Sequence, residues 1–294
     1  MIPVYPYLIR RFLSSLRSVF RMMTLTDSSP VPVGAIAWAL LRLEWHTTVE
    51  RRRPDATVRF RFLGYEVESF SYATLLKLFR DIFVVGEYSL DLPMESPVIV
   101  DAGANIGMAT LFFKHRYPGS RIWAFEPDPR AFGLLERTVA RNGLKDVTLI
   151  NAALSDHDGT LPFYYDEAAP ELLIMSLNPE RLSLSRRTVP CLKLSTAVPE
   201  GTIDLVKMDI EGAEGVVVAE LVASGRMADI SRFALEYHHG IGSAPSRLGG
   251  FLRLLEESGF VYSIRAAFVP PGRFQDVFIA ALRPANRDAV GREA

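Results

Sequence analysis

The sequence of 294 residues has little cysteine and no excess of charge of either sign. Its single cysteine, Cys191, excludes an intrachain disulfide and is typical of a reducing compartment, so we expect a cytoplasmic protein. The formal net charge is −1, from 33 lysines and arginines against 34 aspartates and glutamates. Proteins that bind nucleic acid usually carry a strongly basic domain. We therefore expect no nucleic-acid partner.

Long hydrophobic runs are also missing. The apolar stretch VPVGAIAWALL, residues 31–41, is much shorter than the run of about 20 residues that a membrane-spanning helix needs. Arginines interrupt the apolar residues near the N-terminus, so no secretory signal is predicted. The sequence shows no internal repeat and no low-complexity tract. Its length suits one sizeable α/β domain with an extension, or two small domains.

Residues 1–53 differ in composition from the rest of the chain. The first acidic residue is Asp27, and in LIRRFLSSLRSVFRMM, residues 8–23, apolar residues recur at helical spacing with arginines on the other face. This pattern predicts a basic amphipathic helix. We favour a helix that packs against the main domain or a partner subunit, because the segment is short and contains several serines. Peripheral membrane contact through residues 8–23 is the alternative.

Periodic patterns divide the remaining chain into three regions. Residues 54–96 contain a predicted β-hairpin, TVRFRFLGYEVESF, followed by a predicted helix, SYATLLKLFRDIF. Residues 97–283 alternate apolar strands with amphipathic helices, which indicates a doubly wound α/β fold with a mostly parallel sheet. A short connection joins the last two strands and predicts an antiparallel pair. Residues 166–187 are expected to form a lid insert, and residues 284–294 a tail.

The stretch VIVDAGANIG, residues 98–107, carries the main functional signal. A buried strand ends at Asp101, and Gly103, Asn105 and Gly107 follow. In doubly wound sheets ligands bind at the carboxyl ends of strands, and glycine lets the backbone approach them. A dinucleotide site would have a glycine in place of Asn105, and the carboxylate of Asp101 would repel pyrophosphate. The turn favours a ligand with a cationic amino-acid end, such as S-adenosylmethionine.

The second strand of this unit ends at Glu126, 25 residues after Asp101. An acid in this position can accept hydrogen bonds from both ribose hydroxyls of a nucleoside. Pro127 follows and directs the chain away from the sheet. The next predicted strand is VTLINAAL, residues 147–154. Together these features predict a nucleoside site, with a tight turn that holds no ligand as the simpler alternative.

Four segments resemble a known family. VIVDAGANIGMAT, AFEPDPRAFGLLERTVARNGL, NAALSDHDGTLPFYY and IDLVKMDIEGAE are together similar to the FkbM-type S-adenosylmethionine-dependent methyltransferases. The resemblance covers about residues 57–282, and KMDIEGAE, residues 207–214, is its most specific part. It implies a class I methyltransferase fold, which is a Rossmann-like seven-stranded sheet with an antiparallel last strand. It also implies methyl transfer, often to a hydroxyl on a sugar, glycan or secondary metabolite.

The resemblance also implies which residues bind S-adenosylmethionine. The glycine turn matches the methionine side, the acid after the second strand matches the ribose side, and the NAAL segment matches the region beside the adenine. The predicted cofactor-binding residues are Asp101, Gly103, Asn105, Gly107, Glu126, Pro127, Ala152 and Asp209.

Acceptor chemistry is predicted at the ends of the next two strands. The methyl donor supplies the electrophile, so the protein must orient the acceptor and remove its proton. Asp209 is expected at the tip of its strand, above the methyl group. In LEYHHG, His238 is the expected general base, and Glu236 on the same strand face is expected to orient it. These three residues form the predicted catalytic set.

The other charged residues of KMDIEGAE are expected to be structural. Lys207 and Glu211 are predicted to form a salt bridge that orders the loop, and Glu214 to lie at a helix N-terminus. Two carboxylates and the histidine of the catalytic set could instead hold a divalent metal. A dense acidic cluster, such as adjacent aspartates, is missing from this part of the sequence, so we predict no tightly bound metal.

Other functions stay open. N-methyltransferases usually carry Pro-Pro-Tyr or Pro-Pro-Phe where this chain has DIEG, which makes O-methylation the better prediction. A non-catalytic cofactor-binding module docked to a membrane or partner is a second alternative. An NAD-dependent oxidoreductase is a third, and the missing middle glycine disfavours it. The expected partner is a small-molecule or glycan acceptor.

Overall fold

The computed structural model describes residues 33–49, 57–165, 185–241, 247–270 and 273–284. The amphipathic helix predicted over residues 8–23, most of the predicted lid insert and nearly all of the C-terminal tail lie outside these ranges. Within them, no helix reaches the length and hydrophobicity that crossing a bilayer requires.

The described residues form twelve strands and seven α-helices. The strands are β1 (Val58–Phe62), β2 (Tyr65–Ser69), β3 (Val98–Ala102), β4 (Arg121–Phe125), β5 (Val147–Ile150), β6 (Ala153–Ser155), β7 (Gly159–Tyr165), β8 (Ser185–Lys193), β9 (Leu205–Met208), β10 (Arg232–His239), β11 (Val261–Ala266) and β12 (Gln275–Leu282). The α-helices are α1 (Val33–Val49), α2 (Tyr72–Phe79), α3 (Met108–Arg116), α4 (Pro129–Arg141), α5 (Leu194–Ala197), α6 (Glu214–Ala223) and α7 (Leu248–Glu257). A π-helical segment, Arg80–Val85, continues α2, and a 3-10 turn, Arg226–Asp229, follows α6.

Seven strands form the central sheet in the order β11-β12-β10-β9-β3-β4-β5. The pairs from β10 across to β5 are parallel, whereas β12 is antiparallel to both β10 and β11. This confirms the predicted mostly parallel sheet with an antiparallel last strand. The strand order reverses between β3 and β9, because the chain runs outward through β4 and β5 and then returns beside β3. Doubly wound folds bind ligands at such a switch point.

Helices cover both faces of this sheet, which explains its continuous apolar strands. Successive residues of a strand point to opposite faces. Leu205 of β9 accordingly belongs to the apolar core under α1 to α4, while Val206 and Met208 belong to the core under α6 and α7. All four residues of β9 are buried. The carboxyl ends of β3 and β9 therefore lie between two packed layers, and these layers hold the switch point in place.

The hairpin β1-β2 and the helix α2, which come before the core region, have clear local causes. Leu63 and Gly64 join β1 and β2 with φ of 50° and 84°, and two successive positive φ values match the twist of a two-residue hairpin. Helix α2 begins after Ser71, whose hydroxyl accepts the backbone N–H of Thr74 at 3.1 Å. Side chains of this region pack into the core beside β3.

The strand predicted over residues 147–154 is wrong as a single element. β5 ends at Ile150, and β6 begins at Ala153 in a separate three-stranded sheet of order β6-β8-β7. The side-chain amide of Asn151 donates to the carbonyl oxygen of Glu126 at 2.7 Å, which ties the chain to the end of β4. Residues on both sides of this break are apolar, so the sequence pattern does not show it. Cys191 lies buried in β8 of the small sheet.

Candidate active site

A cavity opens at the switch point, at the carboxyl ends of β3, β4 and β9. Its wall consists of Gly103, Asn105, Phe125, Glu126, Pro127, Ala152, Ala153, Leu154, Phe163, Asp209, Ile210 and Glu211. Six of the eight residues predicted to bind the cofactor are among these. The sequence pattern does not predict the apolar residues Leu154 and Phe163 in this wall, because they come from the small separate sheet. Alternation in HDGTLPFYY is the signal that could have indicated Phe163.

Glu126 faces the cavity with its carboxylate held by two backbone N–H groups. The N–H of Asn105 donates to Oε2 and that of Asp128 donates to Oε1, both at 2.8 Å. Each carboxylate oxygen has a second lone pair, which can accept a further donor from the cavity. Burial raises the pKa of Glu126 to about 7, against the effect of the two N–H donors. The carboxylate is thus held in one orientation, with an acceptor position of each oxygen available to the cavity.

The turn after β3 needs left-handed backbone at Asn105 and Gly107, where φ is 52° and 90°. Asparagine tolerates this region better than most side chains. The Asn105 side chain is also used locally, since its Oδ1 accepts the N–H of Ile106 at 2.8 Å. Gly107 does not line the cavity; a Cβ there would lie 2.9 Å from Leu135 of α4. Its role is to let α3 and α4 pack closely.

Gly103 brings the backbone of this turn against the segment after β9. A Cβ at Gly103 would lie 1.8 Å from the carbonyl oxygen of Asp209, and φ at Gly103 is 79°. A backbone oxygen cannot move aside as a flexible side chain can. Glycine at this position therefore allows the two halves of the cavity wall to meet.

Asp101 is placed differently from its predicted role. Its side chain is fully buried and does not belong to the cavity wall. Thr110 donates its hydroxyl to Oδ2 at 2.6 Å, and Nζ of Lys207 lies 3.3 Å from Oδ1. A buried carboxylate with an internal cation does not require a cationic ligand to balance its charge. Asp101 therefore stabilises the turn from its buried side, through its contacts with Thr110 and Lys207.

Lys207 pairs with Asp101, so the predicted Lys207–Glu211 salt bridge is wrong. The two strands are parallel neighbours, and Lys207 lies opposite Asp101 in their register. Nζ of Lys207 also donates to the carbonyl oxygens of Ala102 and Gly103, at 3.2 and 2.6 Å. These contacts attach the glycine turn to β9. Sequence spacing along one strand shows none of this, because the partners lie on two strands.

His238, at the carboxyl end of β10, is surrounded by carboxylates. Its side chain is only 2% exposed. Nδ1 lies 2.8 Å from Oε1 of Glu214. Nε2 lies 3.2 Å from Oε2 of Glu211, 3.6 Å from Oδ1 of Asp209 and 3.9 Å from Oδ1 of Asp276. Asp209 and Glu211 belong to the cavity wall, so the imidazole lies directly behind them.

The turn between β9 and α6 brings Glu211 and Glu214 to His238. Glu211 has φ of 58°, an uncommon conformation for a residue other than glycine, and Gly212 follows with φ of 105°. Glu214 is the first residue of α6, as expected, and its Oε1 also accepts the N–H of Gly212 at 3.0 Å. Strand alternation does not predict the contacts of the two glutamates with His238, because β9 ends at Met208.

Glu236 shares a strand face with His238, as expected, but the close contact to Nδ1 comes from Glu214. The negative charge of a neighbouring side chain has the largest effect on the pKa of Glu236. The carboxylate of Asp209, together with burial, raises the pKa of Glu236 to about 8. This end of the sheet therefore carries a concentration of acidic side chains around one buried imidazole.

Comparison with known proteins places this site in a family. The model of the Methyltransferase FkbM domain matches residues 101–262, which include the end of β3, the cavity wall and His238 with Asp209, Glu211 and Glu214. The chain belongs to the FkbM methyltransferase family.

Curated relatives match parts of the chain. Methyltransferase sdnD of Sordaria araneosa is 38% identical over 106 residues, which are 34% of this chain and 41% of that protein. The 31-O-demethyl-FK506 methyltransferase FkbM of Streptomyces tacrolimicus is 29% identical over 193 residues, covering 55% of this chain and 72% of that protein. The 2-O-methyltransferase NoeI of Sinorhizobium fredii is 31% identical over 144 residues, covering 44% and 58%. The chain thus spans less than two thirds of sdnD and NoeI.

Proposed function

We propose that this protein is an S-adenosylmethionine-dependent methyltransferase that methylates a hydroxyl oxygen of a sugar, glycan or secondary metabolite. The observation that carries the proposal is the cavity at the switch point. One part of its wall has the oriented carboxylate of Glu126, and another part has Asp209 and Glu211 in front of His238. Membership of the FkbM family supports methyl transfer. The names of two relatives, a 31-O-demethyl-FK506 methyltransferase and a 2-O-methyltransferase, support oxygen as the acceptor atom.

The residues of the cavity fit the proposed donor. Glu126 can accept the ribose hydroxyls, and the apolar side chains of Leu154 and Phe163 suit the faces of an adenine. Lys207 already neutralises Asp101, so Asp209 and Glu211 are the wall carboxylates that suit the positive charge of the donor. When bound, S-adenosylmethionine supplies a methyl group on a sulfonium, which is the electrophile.

Methyl transfer joins the acceptor oxygen to the methyl carbon and breaks the carbon–sulfur bond, whose electron pair goes to sulfur. The hydroxyl proton must leave in the same process. We assign its acceptance to the carboxylates of Asp209 and Glu211, which face the cavity, backed by the imidazole of His238. Glu214 fixes the ring orientation of His238 by its contact with Nδ1. This extends the predicted general base from one residue to a cluster.

A mass-spectrometric screen tests the proposed function. The protein is incubated with S-adenosylmethionine and a panel of hydroxylated metabolites and glycans, and we expect a gain of about 14 mass units on one acceptor class. Fragmentation of the product distinguishes O-methylation from N-methylation. A gain located on nitrogen would refute the oxygen assignment. Calorimetric binding of NAD in place of S-adenosylmethionine would refute the proposed donor.

A further inference from the structure

Three side chains with metal-binding donor atoms converge at the edge of the cavity. Asp209, Glu211 and His238 each offer one donor atom, and these atoms lie within 4.8 Å of one another. Glu236 and Asp276 form a second, overlapping group with the same histidine. The sequence predicts no tightly bound metal, but that prediction does not include Glu211, which only the turn after β9 brings into the group.

The spacing of the donor atoms suits a shared ion. Two ligands that each lie about 2.1 Å from one cation are about 3.0 to 3.4 Å apart at the usual bond angles. Nε2 of His238 lies 3.2 Å from Glu211 and 3.6 Å from Asp209. Small side-chain rotations would complete such a coordination set.

The position of His238 distinguishes this group from an ordinary acidic cluster. Nδ1 lies 2.8 Å from the buried carboxylate of Glu214, which can accept a hydrogen bond from this nitrogen. With the hydrogen on Nδ1, a neutral ring presents the lone pair of Nε2 to Asp209 and Glu211. A positive charge between these atoms, whether a proton or a metal ion, offsets their repulsion. A carboxylate behind one ring nitrogen, with the other nitrogen among ligand oxygens, is the usual outer shell of a metal-bound histidine.

The surrounding charge favours a cation at the same position. Asp276 of β12 contributes a carboxylate 3.9 Å from Nε2 of His238. Glu236, two residues before His238, has a carboxylate oxygen within 4.8 Å of the donor atoms of His238 and Asp276. A cation placed between the oxygens and Nε2 would offset this repulsion from several sides.

We infer that Asp209, Glu211 and His238 bind one divalent cation at the edge of the cavity, with Glu214 holding the imidazole in place. Two carboxylate donors with one imidazole suit a divalent ion such as Mn²⁺, which prefers oxygen ligands. Two carboxylates and one histidine leave coordination positions open. The role of the cation rests on the proposed function. The acceptor hydroxyl would occupy one of these positions, the bound cation would lower the pKa of that hydroxyl, and an oxygen of Asp209 would take its proton.

Direct binding of Mn²⁺ tests the site. Full-length protein is stripped with a chelator, dialysed and titrated with MnCl₂, while electron paramagnetic resonance follows the free Mn²⁺. We expect one bound equivalent, with binding about tenfold weaker or worse in His238→Gln and in Glu211→Gln. His157→Gln is the matched control, because His157 also lies 2.8 Å from a carboxylate, that of Asp156, but is exposed and outside the cluster. Failure of the wild-type protein to bind Mn²⁺, or equal loss in His157→Gln, would overturn the inference.

Calorimetry with S-adenosylmethionine on the same preparations separates this inference from the proposed function. Donor binding without Mn²⁺ binding refutes the cation site alone. Mn²⁺ binding without donor binding refutes the proposed donor alone. If His238→Gln fails to fold, Glu211→Gln decides the outcome, since Glu211 is partly exposed and its replacement leaves no buried charge behind.

Discussion

Among single residues, Glu126 shows how burial and local hydrogen bonds act in opposite directions on the protonation of one carboxylate. Burial favours the protonated form, while the N–H groups of Asn105 and Asp128 favour the carboxylate. A ribose that donates hydrogen bonds to this side chain also favours the carboxylate. Binding of the proposed donor would therefore be coupled to proton release from Glu126.

This coupling predicts a pH dependence of cofactor binding. With a pKa of about 7 for Glu126, we expect S-adenosylmethionine affinity to rise about tenfold from pH 6 to pH 8, because the ionised fraction rises with pH. Glu126→Gln should bind about tenfold more weakly at pH 8 and lose this slope. Calorimetry at three pH values measures both effects, with the exposed Glu136→Gln as control. An unchanged slope in Glu126→Gln would exclude Glu126 as its source.

Gly103 and Gly143 provide a matched pair of glycines for a stability test. Both have positive φ, 79° and 58°, but a Cβ would meet the carbonyl oxygen of Asp209 only at Gly103, and nothing within 4 Å at Gly143. We expect Gly143→Ala to cost about 1 kcal/mol from backbone strain. Gly103→Ala should cost about 3 kcal/mol or more, because two backbone segments must separate. Urea unfolding measures both losses, and equal losses would contradict the close contact.

Which residues line the site was easier to predict from the sequence than which side chains contact one another there. Local spacing indicated Gly103, Glu126 and Asp209, all of which line the cavity. It could not show that Lys207 neutralises Asp101, since the two side chains meet only when their strands pair. Nor could it show the contact of Glu211 with His238, because residues other than glycine rarely adopt positive φ.

At the scale of secondary-structure elements, one ion pair joins the two central strands. Asp101 of β3 and Lys207 of β9 are both almost fully buried. Breaking a buried pair by removing one partner leaves an uncompensated charge, whereas removing both charges is often much less costly. Comparing the loss of stability on removing one charge with the loss on removing both therefore measures the contribution of the ion pair itself.

A double-mutant cycle follows from this arrangement. Lys207→Met should destabilise the protein by about 3 to 5 kcal/mol, because Asp101 then stays buried without its cation. Adding Asp101→Asn should recover part of that loss, since the buried charge is gone. Urea unfolding of the two single variants and the double variant gives the coupling. Strict additivity would mean that the two side chains do not interact.

The central elements were predictable because buried parallel strands are continuous apolar runs between helices. The departures arose where the apolar pattern continued although the backbone changed. The run from β5 into β6 crosses between two sheets at Asn151. The helix predicted through residue 83 is α-helical only to Phe79, and the segment Arg80–Val85 is π-helical. Side-chain periodicity does not reveal either change.

For the molecule as a whole, the proposed donor site depends on both halves of the sheet. Its wall includes residues that follow β3 and β4 and residues that follow β9. A ligand bound there would contact both halves only in the folded protein. Binding should therefore stabilise the whole fold and not a single element.

Thermal unfolding measures this stabilisation. S-adenosylmethionine at about 100 times its dissociation constant should add about 2.7 kcal/mol and raise Tm by several degrees. NAD at the same concentration should leave Tm unchanged, because the turn lacks the dinucleotide glycine and holds Asn105 instead. Glu126→Gln should show a smaller shift at equal ligand concentration. Stabilisation by NAD alone would contradict the proposed donor.

The buried pair between β3 and β9 also has a consequence for biosynthesis. Lys207 is made 106 residues after Asp101, so a growing chain contains β3, β4 and β5 before β9, the other neighbour of β3, has been made. Until then Asp101 lacks its cation, and the backbone contact at Gly103 cannot form. Contacts between such distant segments form late in folding. The cavity wall is therefore incomplete until β9 and the residues after it have been made, and a nascent chain that ends before β9 should be unable to retain the proposed donor.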